Sequence, residues 1–172
     1  MWILGLLPFA LQAAAIAVDE GYFHIRRGLP RWERIGHPLD TLSVLVCMGY
    51  VLFVPFSASA LYLYIGLALF SSFLVTKDEF VHKHHCPASE NWLHAVLFIL
   101  HPITLAAAGF IWPVIQGVET ASWISDWLNE KEPLHLFLKV QFGLMTLFLL
   151  YQIVFWNFLW KDKPVFYSND HQ

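Results

Sequence analysis

The chain has 172 residues, of which 58% are apolar and 13% are charged, with a net charge of −3 and a mean hydropathy of +0.54. A soluble domain of this length carries more polar surface, so the composition favours an integral membrane protein. The pI near 6.3 excludes a basic nucleic-acid-binding surface, and two cysteines do not make a disulfide framework or a zinc finger.

Five apolar segments predict five transmembrane helices, over residues 2–24, 38–56, 58–82, 89–115 and 136–160. A hydrocarbon core of about 30 Å needs about 20 helical residues. The short uncharged link VPFSASA makes the second and third spans antiparallel neighbours. A signal peptide carries positive charge before its apolar region, and the first segment lacks it, so we expect this segment to be retained as a transmembrane helix. The predicted fold class is an all-α integral membrane bundle of five transmembrane helices, forming a single domain over residues 1–172.

Lysine and arginine residues predict the orientation of the bundle. With the N-terminus outside, eight of them face the cytoplasm, namely Arg26, Arg27, Arg31, Arg34, Lys77, Lys83, Lys161 and Lys163. The outer side then receives Lys131, and Lys139 lies just inside the fifth span. This asymmetry follows the positive-inside rule and predicts an outer N-terminus and a cytoplasmic C-terminus. We therefore expect a plasma membrane protein, of the bacterial inner membrane type, in contact with membrane lipid.

The fourth loop, residues 116–135, contains apolar residues at helical spacing. They are Trp123, Ile124, Trp127 and Leu128. Such a pattern is typical of a short helix that lies in the membrane interface with aromatic anchors.

Four of the predicted helices carry a carboxylate and a histidine at their cytoplasmic ends. The first ends in DEGYFH, the second begins with GHPLD, the third ends in KDEFVH and the fourth begins with SENWLH. Spacings of three or four residues put both side chains on one face of a helix. Glu20 and Glu79 stand at helix C-termini, where the macrodipole disfavours a carboxylate. Capping alone therefore does not account for the pattern.

The four helix ends together predict one shared metal site. Its candidate ligands are Glu20, His24, His37, Asp40, Asp78, Glu79, His82, Glu90 and His94. Carboxylate and imidazole ligands suit metal ions of the iron type, with manganese or zinc as alternatives. The set resembles the carboxylate-bridged dimetal sites of helix bundles, and Glu79-x-x-His82 matches their Glu-x-x-His motif. The run HKHH also resembles the H-x-x-H-H histidine box of membrane desaturases and hydroxylases, with one residue fewer.

Two further histidines are candidates for proton transfer or for tuning the metal. His85 lies in the loop between the third and fourth spans. His101 follows His94 by seven residues, which places it two turns and about 10 Å deeper on the same helix face. An ionisable residue at that depth usually faces a cavity or the interior of the bundle.

These features predict a membrane oxidoreductase or hydroxylase with one or two metal ions, acting on a lipid-soluble substrate. A metal or proton transporter would use the same residues, and a structural subunit would use them as a salt-bridge network. A haem protein would need facing histidines on two helices, whereas His94 and His101 share one. The sequence leaves the oligomeric state open, and no nucleic-acid partner is expected.

Overall fold

The computed structural model describes residues 2–78 and 86–161, and within these ranges the chain is helical without strands. We number the helices α1 (Trp2–Arg27), α2 (Glu33–Phe53), α3 (Ala58–Lys77), α4 (Ala88–Ile115), α5 (Ser122–Trp127) and α6 (Lys131–Leu159). All except α5 are long and apolar enough to cross a membrane. The prediction of an all-helical bundle with five such helices is confirmed.

Helix α1 changes its winding along its length. A 3₁₀ turn over Trp2–Leu6 leads into the regular segment Leu7–Val18, and a π-helical turn follows over Asp19–His24. The helix ends at Gly28, whose φ of +78° lies in a region that residues with a Cβ seldom adopt. This glycine lets the chain reverse towards α2.

Helix α2 begins at Glu33, five residues before the predicted start of the second span. Pro38, the first residue of the predicted second span, therefore lies inside the helix and not at its start. A proline there removes one backbone donor, because its nitrogen carries no hydrogen. The longer helix brings Glu33 and His37 onto the same helix, four residues apart.

The core of the bundle is centred on Trp112 of α4, which is fully buried. Its ring packs against Tyr50, Phe56 and Tyr64, and its Nε1 donates a hydrogen bond of 3.0 Å to the carbonyl of Val54. α1 packs mainly on α4, and α2 packs on both α3 and α6. Large apolar residues cover the outer faces, for instance Phe73, Tyr62 and Leu147. A membrane exterior, rather than water, suits such a surface.

Successive long helices run in opposite directions, so five helix termini meet at one end of the bundle. These are the C-terminal ends of α1, α3 and α6 and the N-terminal ends of α2 and α4, and we refer to this side as the cluster end. Helix α5 occupies the predicted fourth loop, with Trp123 and Trp127 exposed. Its place at a membrane interface, like the orientation of the bundle, stays a prediction.

Candidate metal centre

Asp19 stands at the middle of a buried group of ligand-type side chains. Its Oδ2 lies 3.2 Å from Nε2 of His24 on the same helix, and its Oδ1 lies 3.2 Å from Nε2 of His94 on α4. Glu90, one turn before His94, places Oε1 3.8 Å from the same His24 nitrogen. One ligand atom from each of these four residues lies within 4.8 Å of every other. We call Asp19, His24, Glu90 and His94 the Asp19 cluster.

The π-helical turn of α1 is what aims both Asp19 and Glu20 at one histidine. In a regular α-helix only residues three or four apart share a face. A π turn is wider, with backbone bonds between residues five apart, as from the amide of Ile25 to the carbonyl of Glu20. His24 is therefore reached by Glu20 at four residues and by Asp19 at five. Such single π turns are frequent at functional sites.

Glu20 orients His24 rather than joining the cluster. Its Oε2 lies 3.0 Å from Nδ1 of His24, while its Oε1 accepts hydrogen bonds from Tyr151 at 2.8 Å and Trp156 at 2.6 Å. A carboxylate that accepts from one ring nitrogen fixes the tautomer and turns the other nitrogen towards a metal. Glu20 thus leaves Nε2 of His24 available among the oxygens of Asp19 and Glu90.

A second ligand-type group adjoins the first and shares His24 with it. Its other members are Glu33 and His37 of α2, and one ligand atom from each of the three lies within 4.8 Å of the others. Arg27 ties the two groups together: it donates two hydrogen bonds to Glu33, at 2.8 and 3.2 Å, and one to Glu90 at 2.9 Å. The rings of His24 and His37 meet edge to face at 4.7 Å.

The electrostatics of this region favour a cation. Four buried carboxylates, those of Asp19, Glu20, Glu33 and Glu90, face one guanidinium among the described residues that contact them. Four negative charges against one positive charge leave −3 when the histidines are neutral. Burying unbalanced charge in a medium of low dielectric constant costs several kcal/mol per ion, by order of magnitude. Protonated histidines or a divalent ion would offset that cost.

Two ligand-type atoms of the Asp19 cluster are unsatisfied, whereas Nε2 of His94 makes a hydrogen bond of 3.2 Å with Oδ1 of Asp19. Nε2 of His24 lies close to two carboxylates, yet makes no hydrogen bond of acceptable geometry to any described residue. Oε2 of Glu90 is likewise without a hydrogen-bond partner in the described ranges. Ligands bound about 2.0–2.2 Å from one ion stand roughly 3.0–3.5 Å apart, which the two 3.2 Å separations match. The residues present therefore fit a metal ion.

The structure brings together four of the nine predicted ligands, together with Glu20 behind them. His24, Glu90 and His94 lie in the Asp19 cluster and His37 in the adjoining group. Asp40 does not join them: its two oxygens pair with Nζ of Lys77 at 2.7 and 2.8 Å, which ties α2 to α3. Glu79, His82 and His85 lie outside the described residues, as does the side chain of Asp78, whose backbone ends the 3₁₀ turn Val75–Asp78.

His101 lies away from the cluster and is held by neutral partners. Its Nε2 is 2.9 Å from Oγ of Ser71, and its Nδ1 is 3.4 Å from Nε2 of Gln12. Ser71 is 2.7 Å from Ser43, which donates to the carbonyl of Asp40. The predicted deep position inside the bundle is therefore present, but this histidine is no ligand of the Asp19 cluster.

Cys86, half-buried in the loop before α4, does not supply a ready thiolate. Burial raises the pKa of this thiol well above its ordinary value, the opposing effect of Arg27 is smaller, and Glu90 and Glu33 add to the rise. The group is therefore a neutral thiol at neutral pH. Carboxylate and imidazole remain the candidate ligands.

The sequence reasoning missed Asp19, Glu33 and Arg27. The signal for Glu33 was present, because Glu33 and His37 show the same spacing of four residues as Glu20 and His24. It was overlooked because the second span was expected to begin at residue 38. Asp19 carried a weaker signal, since its contact with His24 depends on a π turn that no side-chain periodicity reveals.

A cavity of about 350 Å³ opens directly beside the Asp19 cluster. Asp19, His37 and His94 contribute to one end of it, and apolar residues of α1, α2, α4 and α6 make most of its wall. Its size is at the lower end of the range for small-molecule pockets, about 300–1,000 Å³.

No protein-family model matches this chain, and no curated protein or solved structure shows significant similarity to it.

Proposed function

We propose that this protein is a membrane metalloprotein, with one or two ions of the iron type, that acts as an oxidoreductase on a lipid-soluble substrate. The observation that carries the proposal is the Asp19 cluster itself: two imidazoles and two carboxylates converge, buried, beside an apolar cavity. Mixed imidazole and carboxylate ligands are typical of non-haem iron sites, with manganese and zinc as the alternatives. A bound iron would supply the redox chemistry.

The surrounding side chains have definite tasks in this proposal. Glu20 holds Nδ1 of His24, so that Nε2 points at the metal position. Arg27 keeps Glu33 and Glu90 in place and offsets one negative charge. Two neighbouring groups that share His24 support a centre of up to two ions.

The cavity supports a substrate taken from the membrane. It contacts Asp19 and His94 at one end, and its walls include Phe9, Phe98 and Phe148. An apolar molecule in this cavity would lie against the metal ligands and out of contact with water. Exclusion of water strengthens electrostatic interactions and suppresses side reactions.

The orientation of the bundle belongs to the same proposal: the cluster end faces the cytoplasm and the C-terminus is inside. Four arginines lie at this end, in agreement with the positive-inside rule: Arg26 and Arg27 in the last turn of α1, Arg31 in the following loop and Arg34 in the first turn of α2. A reporter that fluoresces only in the cytoplasm, fused to the C-terminus, should be bright, and alkaline phosphatase at that position should be inactive. The opposite pair of results would reverse the orientation.

Metal analysis tests the central claim. Protein expressed with ample iron and purified in mild detergent should retain at least one iron per chain, and the H24Q and H94Q variants should retain little. D126N, which alters an exposed carboxylate of α5, is the matched control and should bind iron like the unchanged chain. Absence of iron, manganese and zinc from well-folded protein would leave the salt-bridge network as the better reading.

A second measurement separates an oxidoreductase from a storage or structural site. After anaerobic loading with Fe(II), nitric oxide should produce an electron paramagnetic resonance signal, because oxygen activation at the iron needs a coordination position that the protein leaves open. The loaded protein should also consume oxygen faster in vesicles of host lipid than in lipid-free detergent. A metal-replete protein that fails both assays would not be an oxygen-activating oxidoreductase.

A transporter is less well supported. The hydrogen bonds of His101 lead through Ser71 and Ser43 back to the carbonyl of Asp40, near the cluster end from which the path would start. A permeation path needs polar groups that continue across the membrane. Metal-dependent uptake into proteoliposomes would favour the transporter.

A further inference from the structure

We propose that the cavity beside the Asp19 cluster is the binding chamber for a hydroxyl-bearing lipophile, which enters from the bilayer between α1 and α6. The inference rests on the proposed function, because it names the substrate class of that same site. Three observations carry it: a side opening, two unsatisfied polar atoms in the wall, and the distance between those atoms and the metal ligands.

The opening lies in the seam between α1 and α6. At the far end the seam is closed by Phe9 and Phe137, whose rings meet edge to face at 5.2 Å. At the cluster end it is closed by Glu20, which accepts hydrogen bonds from Tyr151 and Trp156.

Between these two closures both helices line the cavity with residues that are also exposed. They are Ala13 and Ala17 of α1 and Leu144 of α6, which is 57% exposed. A residue that both lines a cavity and faces the outside marks a mouth. Because this mouth lies in the middle of two membrane-spanning helices, it faces lipid, and the natural entrant is a lipid-soluble molecule.

The chamber wall also contains polar atoms that an apolar chain would leave unsatisfied. Gln12 and Thr104 are at least nine-tenths buried and line the cavity. Gln12 Oε1 and Thr104 Oγ1 have no hydrogen-bond partner among the described residues. Nε2 of Gln12 is directed at His101, so the remaining amide atom of Gln12, Oε1, is an acceptor without a donor among the described residues. A hydroxyl group satisfies both atoms, since it donates to the amide oxygen and accepts from the threonine.

The positions of the polar pair and of the metal ligands determine the orientation of such a ligand in the chamber. Gln12 precedes Asp19 by seven residues on α1, and Thr104 follows His94 by ten on α4, so the polar pair lies about 10–15 Å from the metal ligands at 1.5 Å per residue. A ligand with its hydroxyl at that pair brings carbons about 10 Å away against the cluster. Aliphatic alcohols and alkyl quinols share this chemistry.

A photolabelling experiment tests the chamber. The probe is a fatty alcohol that carries a diazirine in its chain, added to the iron-loaded protein in detergent and irradiated, with the labelled peptides identified by mass spectrometry. Labels should fall on residues 12–17 and 141–148. Dodecanol should compete about tenfold better than dodecane, which corresponds to about 1.4 kcal/mol, because dodecane leaves both buried polar atoms unsatisfied. A decyl-substituted quinol, compared with dodecanol, shows which of the two sources of hydroxyl is preferred.

Matched variants separate the mouth from the polar pair. A13F fills the mouth and should abolish labelling, whereas A14F on the neighbouring lipid face should not. T104V removes a hydroxyl that faces the chamber and should reduce the preference for dodecanol over dodecane. T146V is its control, because that hydroxyl already donates to the carbonyl of Phe142.

Equal competition by dodecanol and dodecane, or equal loss of labelling in A13F and A14F, would overturn the inference. Iron content is measured on the same samples, so that a failure of the proposed metal site can be distinguished from a failure of the proposed binding chamber. Selective labelling of a protein that holds no metal would refute the proposed function and keep the chamber. An iron-replete protein without preference for the alcohol would refute the chamber alone.

Discussion

Replacing Asp19 by asparagine is the most informative single change in this protein. The substitution preserves size and keeps one oxygen but removes the negative charge that lies 3.2 Å from both His24 and His94. If a metal holds these residues together, the variant loses a charged ligand and affinity falls. If the residues form only a salt-bridge network, no ion is bound, and the effect of the variant on stability should be the same with and without a chelator.

The size of the stability loss in D19N follows from the linkage between metal binding and folding. Loss of even an outer partner of a metal ligand lowers affinity by about 10–100-fold, and loss of a ligand should cost at least the upper value. A site that is saturated 100-fold above its dissociation constant stabilises the fold by about 2.7 kcal/mol. D19N should therefore lose most of that stabilisation, on the order of 5–10 °C in Tm for a chain of this size.

Thermal unfolding followed by tryptophan fluorescence provides the assay, because the chain has eight tryptophans. The Tm of the iron-loaded wild type should fall by several degrees when a chelator is added, whereas the Tm of D19N should hardly change. D126N serves as the matched carboxamide control. A metal does not hold the cluster together if a chelator leaves the Tm of the wild type unchanged, or if D19N is at least as stable as the wild type with iron present.

Two further substitutions test the surroundings of the cluster, and a third tests the core of the bundle. E20Q should lower iron affinity about 10–100-fold, because the amide disturbs the tautomer of His24; an unchanged dissociation constant by competitive chelation would contradict the assigned role. R27Q should destabilise the fold by about 3 kcal/mol, since it leaves buried carboxylates unpaired; adding E33Q should restore part of the loss, and no restoration would argue against this ion pair. W112F should cost about 1–3 kcal/mol through lost packing and the lost bond to the carbonyl of Val54; an unchanged Tm would show that the ring is not central.

Much of the site followed from the sequence because its signals are local. Glu20 and His24, like Glu90 and His94, are four residues apart on long apolar helices, and alternating helix directions bring their ends together. The same logic applies to Glu33 and His37, but an error of five residues in the start of α2 hid it. Boundaries are weakly determined at polar helix ends, where the apolar pattern fades.

The roles of neighbouring carboxylates needed the tertiary structure. Asp19 and Glu20 are adjacent and chemically alike, yet one lies at the centre of the cluster and the other is held by Tyr151 and Trp156. The π turn and the approach of α6 make that difference. Asp40 shows the opposite case: its pattern predicted a ligand, and Lys77 on α3 takes both of its oxygens.

By itself, the sequence determined five helices long and apolar enough to cross a membrane, and it gathered carboxylates and histidines at one end of the bundle. Hydrophobic length and residue spacing are local properties, and they act before any helices meet. Only the tertiary structure decided which of those side chains converge, which one is satisfied elsewhere, and where a cavity opens beside them. Those outcomes depend on distances between helices, which the order of residues along one helix does not contain.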